Sequence, residues 1–219
     1  MPTGVKPTAI LDLDGPIIDV SFRHYRVYTA GITKLGGTPV DREAFWSAKR
    51  HKSPDSEILA QSGLREATVA YKIIKLETIE SSSYLIYDQL QPGVPTILRK
   101  IANRYRLVLV TLRQSRDRLL QQLVSLRISE FFDSVLSAPA GSKTGWETKR
   151  DLIDNAGITV GTGDFFAGDT ETDILAGKAL GVSTVAVCNG IRTADYLRPL
   201  APDWIIPTLA DLPSTNLLK

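Results

Sequence analysis

The sequence predicts an α/β fold, a doubly wound parallel, Rossmann-like sheet into which a small all-helical unit is inserted. Three observations predict it. Short, nearly continuous apolar runs recur along the chain, as in strands covered on both faces. Stripes of apolar residues at helical spacing fill the intervals between them. One interval, residues 14–106, is far longer than a crossover needs and carries helical patterns of its own.

The elements follow in order. Ala9-Ile10-Leu11-Asp12-Leu13 is short, partly β-branched and halted by Gly15-Pro16, so it reads as a buried strand. In the long interval, Phe22, Tyr25, Tyr28, Ile32 and Leu35 share one helical stripe. Asp41 is placed to cap a helix running through Arg50. Ser53-Pro54 reads as the cap and first residue of another. Val69, Ile73, Leu76 and Ile79 mark a longer one, and Gln91-Pro92-Gly93 closes the region. Strands then follow at Leu107–Val110, Ser134–Leu136, Phe165–Ala167, Thr184–Val187 and, more weakly, Trp204–Ile206. Helical stripes around Ile97, Leu98 and Ile101, around Leu119, Leu123 and Leu126, and around Ile174, Leu175 and Leu180 separate the strands. The predicted division is a core of residues 1–17 and 91–219 with a helical domain of residues 18–90.

Composition narrows the function classes. Hydrophobic residues make up 43% and charged residues 23% of the 219, the balance of an ordinary globular chain. A formal net charge of +2 is too weak and too evenly spread to argue for nucleic acid or a membrane surface. The one dense basic run, Lys49-Arg50-His51-Lys52, reads either as a solvated helix end or as part of a surface for an anionic ligand. Cys188 is the only cysteine and follows an apolar run, so a buried, inert thiol is expected. Residues 1–14 match neither a signal peptide nor a membrane span, and a cytoplasmic location is the default expectation.

Two groups of carboxylates carry the chemistry. Asp12 and Asp14 stand at the carboxyl end of the first strand, where open α/β sheets bind ligands. A carboxylate there can attack phosphorus and form a covalent intermediate, and a second one two residues on can move the leaving group's proton. The second group is Gly168-Asp169-Thr170-Glu171-Thr172-Asp173, directly after a strand. Asp169 and Asp173 are spaced to share a face at a helix start, where acidic groups also suit the helix dipole. The dipole accounts for one carboxylate better than for several. Three brought together would repel, and a hard cation with oxygen ligands removes the conflict; Mg2+ suits a phosphate site.

Asp12-Leu13-Asp14-Gly15 and Gly168-Asp169-Thr170-Glu171-Thr172-Asp173 resemble the first and fourth motifs of the haloacid dehalogenase (HAD) superfamily, with the order and spacing of its core. Thr111, ending the strand Leu107–Val110, resembles the second motif, a hydroxyl that holds a phosphoryl oxygen. The third motif is a lysine. Lys149 falls at helical spacing with Trp146, Ile153 and Ala156 and points inward; Lys143 stands in the loop Gly141-Ser142-Lys143-Thr144-Gly145. Lys149 is preferred and Lys143 stays open, with a phosphate contact as its other role. The inserted helices resemble a C1-type cap. Pro16, where many family phosphatases carry Thr or Val, is a departure at a variable position.

The resemblance implies a magnesium-dependent phosphatase acting on a small phosphorylated metabolite. Asp12 would be the nucleophile, Asp14 the proton donor and acceptor, and Thr111 and Lys149 the groups holding the phosphoryl oxygens. The metal would be held by Asp12, Asp14 through its backbone carbonyl, and Asp169, with Asp173 orienting its water. Asp14 argues against the family's dehalogenases and phosphonate hydrolases, which lack a second aspartate. Two other readings stay open: a sugar phosphomutase, which keeps all four motifs, and a regulatory protein that binds a phosphorylated ligand without turnover. Arg113 stands close to Thr111, Arg23 and His24 lie with Arg26 off the apolar stripe of the first inserted helix, and Arg50 belongs to the basic run; Arg113, Arg23, His24 and Arg50 are candidate substrate-binding residues.

Overall fold

A computed structural model describes residues 6–142 and 145–218. In chain order the elements are β1 (Thr8–Leu11), β2 (Ile18–Asp19), α1 (Ser21–Lys34), α2 (Arg42–Arg50), α3 (Asp55–Gln61), α4 (Thr68–Thr78), α5 (Ser82–Leu85), β3 (Gln89–Leu90), α6 (Val94–Ala102), β4 (Arg106–Thr111), α7 (Arg116–Ser125), β5 (Ser134–Ser137), α8 (Trp146–Asn155), β6 (Phe165–Gly168), α9 (Glu171–Ala179), β7 (Ser183–Val187), α10 (Ala194–Leu197) and β8 (Trp204–Ile206). Short 3-10 turns follow α7, α10 and β8.

Six strands form one sheet in the order β5-β4-β1-β6-β7-β8, and every neighbouring pair is parallel. Alternate strand residues serve opposite faces. Leu11, Leu109, Ala167 and Val187 pack on one side with Ile97, Leu98 and Leu119 of α6 and α7. Ile10, Val108, Val110 and Phe166 pack on the other with Ile153 and Ala176 of α8 and α9. Burial on both faces is why these strands are continuous apolar runs, as the sequence predicted.

The five helices α1–α5 lie between β2 and β3, which pair antiparallel, Ile18 opposite Leu90. The chain thus leaves and rejoins the sheet layer through one narrow ribbon. Gln91 secures it, donating from its backbone to Ile17 O at 2.9 Å and from its side chain to Gly15 O at 2.9 Å. The helices bury a small core of their own, Tyr28, Ile32, Phe45, Ile58, Leu59 and Tyr71, in which the Tyr28 and Phe45 rings stack with centroids 4.5 Å apart. Asp41 caps α2 as expected, accepting from Ala44 N at 2.8 Å.

Three local expectations are corrected. Ser53 does not cap α3; Pro54 occupies the cap position and the helix begins at Asp55. On α1 the stripe is shared unequally: Tyr28 and Ile32 are buried, Phe22 is exposed, and the first turn buries Arg23 instead. On α4 the stripe points the wrong way. Val69, Ile73 and Leu76 are all exposed, and Tyr71 is the residue that enters the core. Three apolar residues fix a helical period without fixing which face is covered.

This orientation has a measurable consequence. Ile73→Gln should change unfolding free energy by no more than about 0.5 kcal/mol, whereas Ile32→Ala should cost about 2–5 kcal/mol in denaturant titrations. A large loss from Ile73→Gln would contradict the exposed placement of that face.

Candidate active site

The sheet order reverses beside β1: the chain passes to β4 and β5 on one side, then crosses to β6 on the other. Such a switch point opens a crevice at the carboxyl ends of the strands. Asp12 follows β1, Thr111 ends β4 and Asp169 follows β6. Asp12 N donates to Ala167 O at 3.0 Å, which holds the two strand ends together.

Asp12, Asp169 and Asp173 converge there. All three are buried, and one carboxylate oxygen from each lies within 4.8 Å of the other two. Asp169 and Asp173 meet differently from the shared helix face the spacing predicted. Asp169 stands in the turn before α9, and Asp173 is the third helical residue, accepting from Thr170 N at 2.9 Å and Thr170 Oγ1 at 2.7 Å in a capping box. Lys149 enters from α8, its Nζ 2.9 Å from Asp12 Oδ1 and 2.5 Å from Asp173 Oδ1. Glycines make the approach possible. A side chain at Gly15 or Gly190 would overlap the Asp169 carboxylate, and one at Gly168 would overlap Asp173. Gly15 also has φ +116°, a backbone state that favours glycine.

The electrostatics are unbalanced. Burial pushes Asp12 up to about 7 against the pull of Lys149, with Asp173 adding to the rise. Burial, then Asp12 and Asp173, hold Asp169 well above the ordinary carboxylate range. Burial disfavours the Lys149 ammonium, yet Asp12 and Asp173 together keep its pKa above the usual lysine value. One ammonium cannot neutralise three carboxylates. Asp169 Oδ2 accepts from Ile191 N, but its Oδ1 is buried with no hydrogen-bond partner among the described residues. A cation with oxygen ligands fits both the leftover negative charge and the orphaned oxygen. Asp12 and Asp169 have the freer lone pairs, since Asp173 is already engaged by Thr170 and Lys149.

Asp14 belongs to a different group. Its carboxylate is gripped by Arg113, with Nε donating to Oδ2 at 3.0 Å and Nη2 to Oδ1 at 2.5 Å, and by Arg23 Nη2 at 2.8 Å. Burial would raise the Asp14 pKa, but Arg113 and Arg23 hold it well below the usual carboxylate range. Asp88 lies behind both arginines, 3.1 Å from Arg23 Nε and 3.1 Å from Arg113 Nη2, and also accepts from Gln122 Nε2 at 2.9 Å. Arg23 and Arg113, both candidate substrate-binding residues, are buried and pair with Asp14.

Asp12, Asp14, Arg23, Arg113 and Lys149 line one cavity of about 540 Å³, together with Thr111, His24, Lys49, Lys52 and Arg192, while Asp169 and Asp173 are buried behind its wall. Thr111 is buried, and its Oγ1 accepts from Arg113 N at 3.3 Å. His24 Nδ1 is buried without a hydrogen-bond partner among the described residues. Arg50 does not line the cavity. It donates to the carbonyls of Cys188 at 2.6 Å and Arg192 at 3.3 Å, and Lys52 pairs with Glu171 at 2.7 Å. The basic run is thus partly a solvated end, with His51 and Lys52 exposed, and partly a seam in which Arg50 and Lys52 tie the helices to the sheet layer, while Lys49 and Lys52 line the cavity. Lys143 lies outside the described residues. Asp88, Gln122, Gly190 and Ile191 were missed by the sequence reading. Gly190 alone carried a signal, as a glycine after a strand's carboxyl end.

A parallel sheet with an acidic crevice at its switch point, a buried lysine and a threonine at the next strand end defines an α/β protein with an aspartate-centred site. The family model of the haloacid dehalogenase-like hydrolases matches residues 9–187, and the chain belongs to that family. A HAD-hydrolase-like model also matches residues 164–212. The chain is 23% identical to a phosphoglycolate phosphatase of Synechococcus elongatus over 93% of each chain. It is 28% identical to a pyrophosphatase of Halalkalibacterium halodurans over about half of each, 49% of this chain and 50% of that one. In structure it is similar to a haloacid dehalogenase-like family hydrolase from Streptococcus pneumoniae, with a TM-score of 0.78, 18% identity and coverage of 97% and 98% of the two chains.

Lys49 provides a check on the cavity's electrostatics. No carboxylate lies within ion-pair distance of it among the described residues. Burial, with Lys75 and Arg192 nearby, lowers its pKa to about 7. A lowered lysine pKa means that the folded state holds fewer protons than the unfolded one between about pH 7 and 10.5. Stability from this group therefore rises with pH across that window. Lys49→Met should stabilise the protein at pH 6 by roughly 1–3 kcal/mol, discounted for the side chain's partial contact with water, and the gain should vanish toward pH 10.5. A gain unchanged by pH would overturn this account.

Proposed function

We propose that the protein is a magnesium-dependent phosphatase that hydrolyses a small-molecule phosphate monoester through an aspartyl-phosphate on Asp12. The observation that carries this reading is the meeting of Asp12, Asp169 and Asp173 around the Lys149 ammonium, with negative charge left over. The names of the two curated relatives support a small phosphorylated substrate.

In this reading Asp12 attacks phosphorus, and its raised pKa marks a carboxylate that the site leaves poorly compensated until a cation and substrate arrive. Lys149 steadies Asp12 and Asp173 and faces the phosphoryl oxygens. The Thr111 hydroxyl, at the lip of β4, donates to one of those oxygens. Asp14 protonates the departing oxygen and later takes a proton from the water that releases phosphate. Asp12, Asp169 and the Asp14 backbone carbonyl would hold Mg2+, with Asp173 orienting its water. When bound, the ion spreads the charge that develops on the transferring phosphoryl group. Residues 1–17 and 91–219 act as the core, and residues 18–90 act as a C1-type cap that closes over the cavity and brings Arg23 and His24 to it. No helix among the described residues is long and apolar enough to cross a membrane, and we assign the protein to the cytoplasm.

Para-nitrophenyl phosphate tests this directly. Hydrolysis should require Mg2+, stop with a chelator and fall by about a thousandfold or more in Asp12→Asn. Metal-independent turnover, or full activity in Asp12→Asn, would remove the assignment.

A further inference from the structure

At rest Asp14 is engaged by groups that leave it no proton to give. Arg113 grips it fork to fork and Arg23 adds a third bond, so both carboxylate oxygens accept from guanidiniums. Arg23, Arg113 and Asp88 have side chains 1%, 4% and 0% exposed. Two guanidiniums and two carboxylates balance in this pocket. If Asp14 turns toward a substrate, Asp88 alone faces two buried cations, and an uncompensated buried charge is costly. Both arginines line the same cavity as Asp12, Thr111 and Lys149. A replacement anion can therefore arrive as part of the ligand.

We infer that the Arg23–Arg113 pair is an oxyanion subsite filled at rest by the Asp14 carboxylate, and that a second anionic group on the substrate displaces Asp14 and frees it for proton transfer. This rests on the phosphatase reading above and deepens it. The substrate class is a phosphate monoester carrying another oxyanion, and a carboxylate is the shape the arginine fork already holds. An ester without such a group leaves Asp14 clamped and turns over slowly. Selection of the substrate and release of the proton donor become one event.

Two measurements test it on the full chain. In Asp14→Ala the subsite is vacated, so sodium acetate should raise the thermal midpoint above that in sodium chloride at equal ionic strength. The parent protein, whose subsite is full, should show no such difference. Separately, acetate should raise the parent's kcat/KM severalfold for ethyl phosphate, whose alkoxide leaving group needs the Asp14 proton, and Arg23→Met should lose that response. Sulfate as a third salt separates a carboxylate-shaped site, which answers to acetate alone, from one that takes any oxyanion. Equal midpoints for Asp14→Ala in acetate and chloride overturn the subsite. A parent that hydrolyses the ester with Mg2+ but ignores acetate overturns the unlocking and spares the phosphatase reading. A parent with no hydrolysis removes the phosphatase reading, while an acetate shift in Asp14→Ala still supports the subsite.

Discussion

Carboxylates gathered in a dry crevice need counter-charge, and the fold meets this need in two unlike ways within three residues of chain. Around Asp12 it supplies, among the described residues, one ammonium for three carboxylates and leaves an Asp169 oxygen without a partner. Around Asp14 it supplies two guanidiniums for two carboxylates. The first arrangement is incomplete, and a cation with oxygen ligands would suit it. The second is complete and holds its aspartate fast. Both depend on the same turn after β1, so the two aspartates of one short motif are prepared for opposite conditions.

The topology explains how so many charges arrive together. Parallel strands deliver their carboxyl ends to one edge, and the reversal beside β1 leaves room there. Lys149 is carried in by α8, which packs beside α9 and so reaches Asp173. Gly15, Gly168 and Gly190 thin the backbone where carboxylates must pass. The ribbon of β2 and β3 returns the helices close to the point they left, and α1 begins at Ser21, just past Asp19. Its first turn therefore stands over the Asp14 turn, and Arg23 is the residue that lands there.

Much of this was legible in the sequence, for identifiable reasons. Strands buried on both faces must be apolar, so β1, β4, β6 and β7 showed themselves plainly and the half-buried edge strands β5 and β8 less so. Asp12, Asp14, Asp169 and Asp173 stood out because charge at the end of an apolar run is unusual. Lys149 could be preferred because its helical spacing with Trp146 and Ile153 turned it inward. What stayed hidden was partner-dependent. Arg23 reads as a surface cation until Asp88 and Asp14, distant in sequence, are brought beside it. Asp88 and Gln122 sit in no pattern at all; their role exists only where the returning chain meets α7. Val69, Ile73 and Leu76 misled because a period reveals a stripe without revealing whether it is covered.

The chemistry of the Asp14 clamp limits how it can open. Guanidiniums stay protonated across the ordinary pH range, so the arginines cannot let go by losing a proton. Asp14, held below the usual carboxylate range by the same two groups, cannot let go by gaining one near neutrality. Two routes remain: competition by another anion, and movement of α1, which carries Arg23 away while Arg113 stays with the sheet layer. The routes are coupled, because Arg23 is shared between Asp14, Asp88 and the Ile79 carbonyl, all of which fix where α1 sits. An anion that satisfies Arg23 in place of Asp14 keeps α1 seated over the crevice while releasing the aspartate beneath it. A shift of α1 without an anion would expose the crevice and strand Arg113. The position of the inserted helices and the freedom of Asp14 are thus one variable, set by what occupies the two arginines.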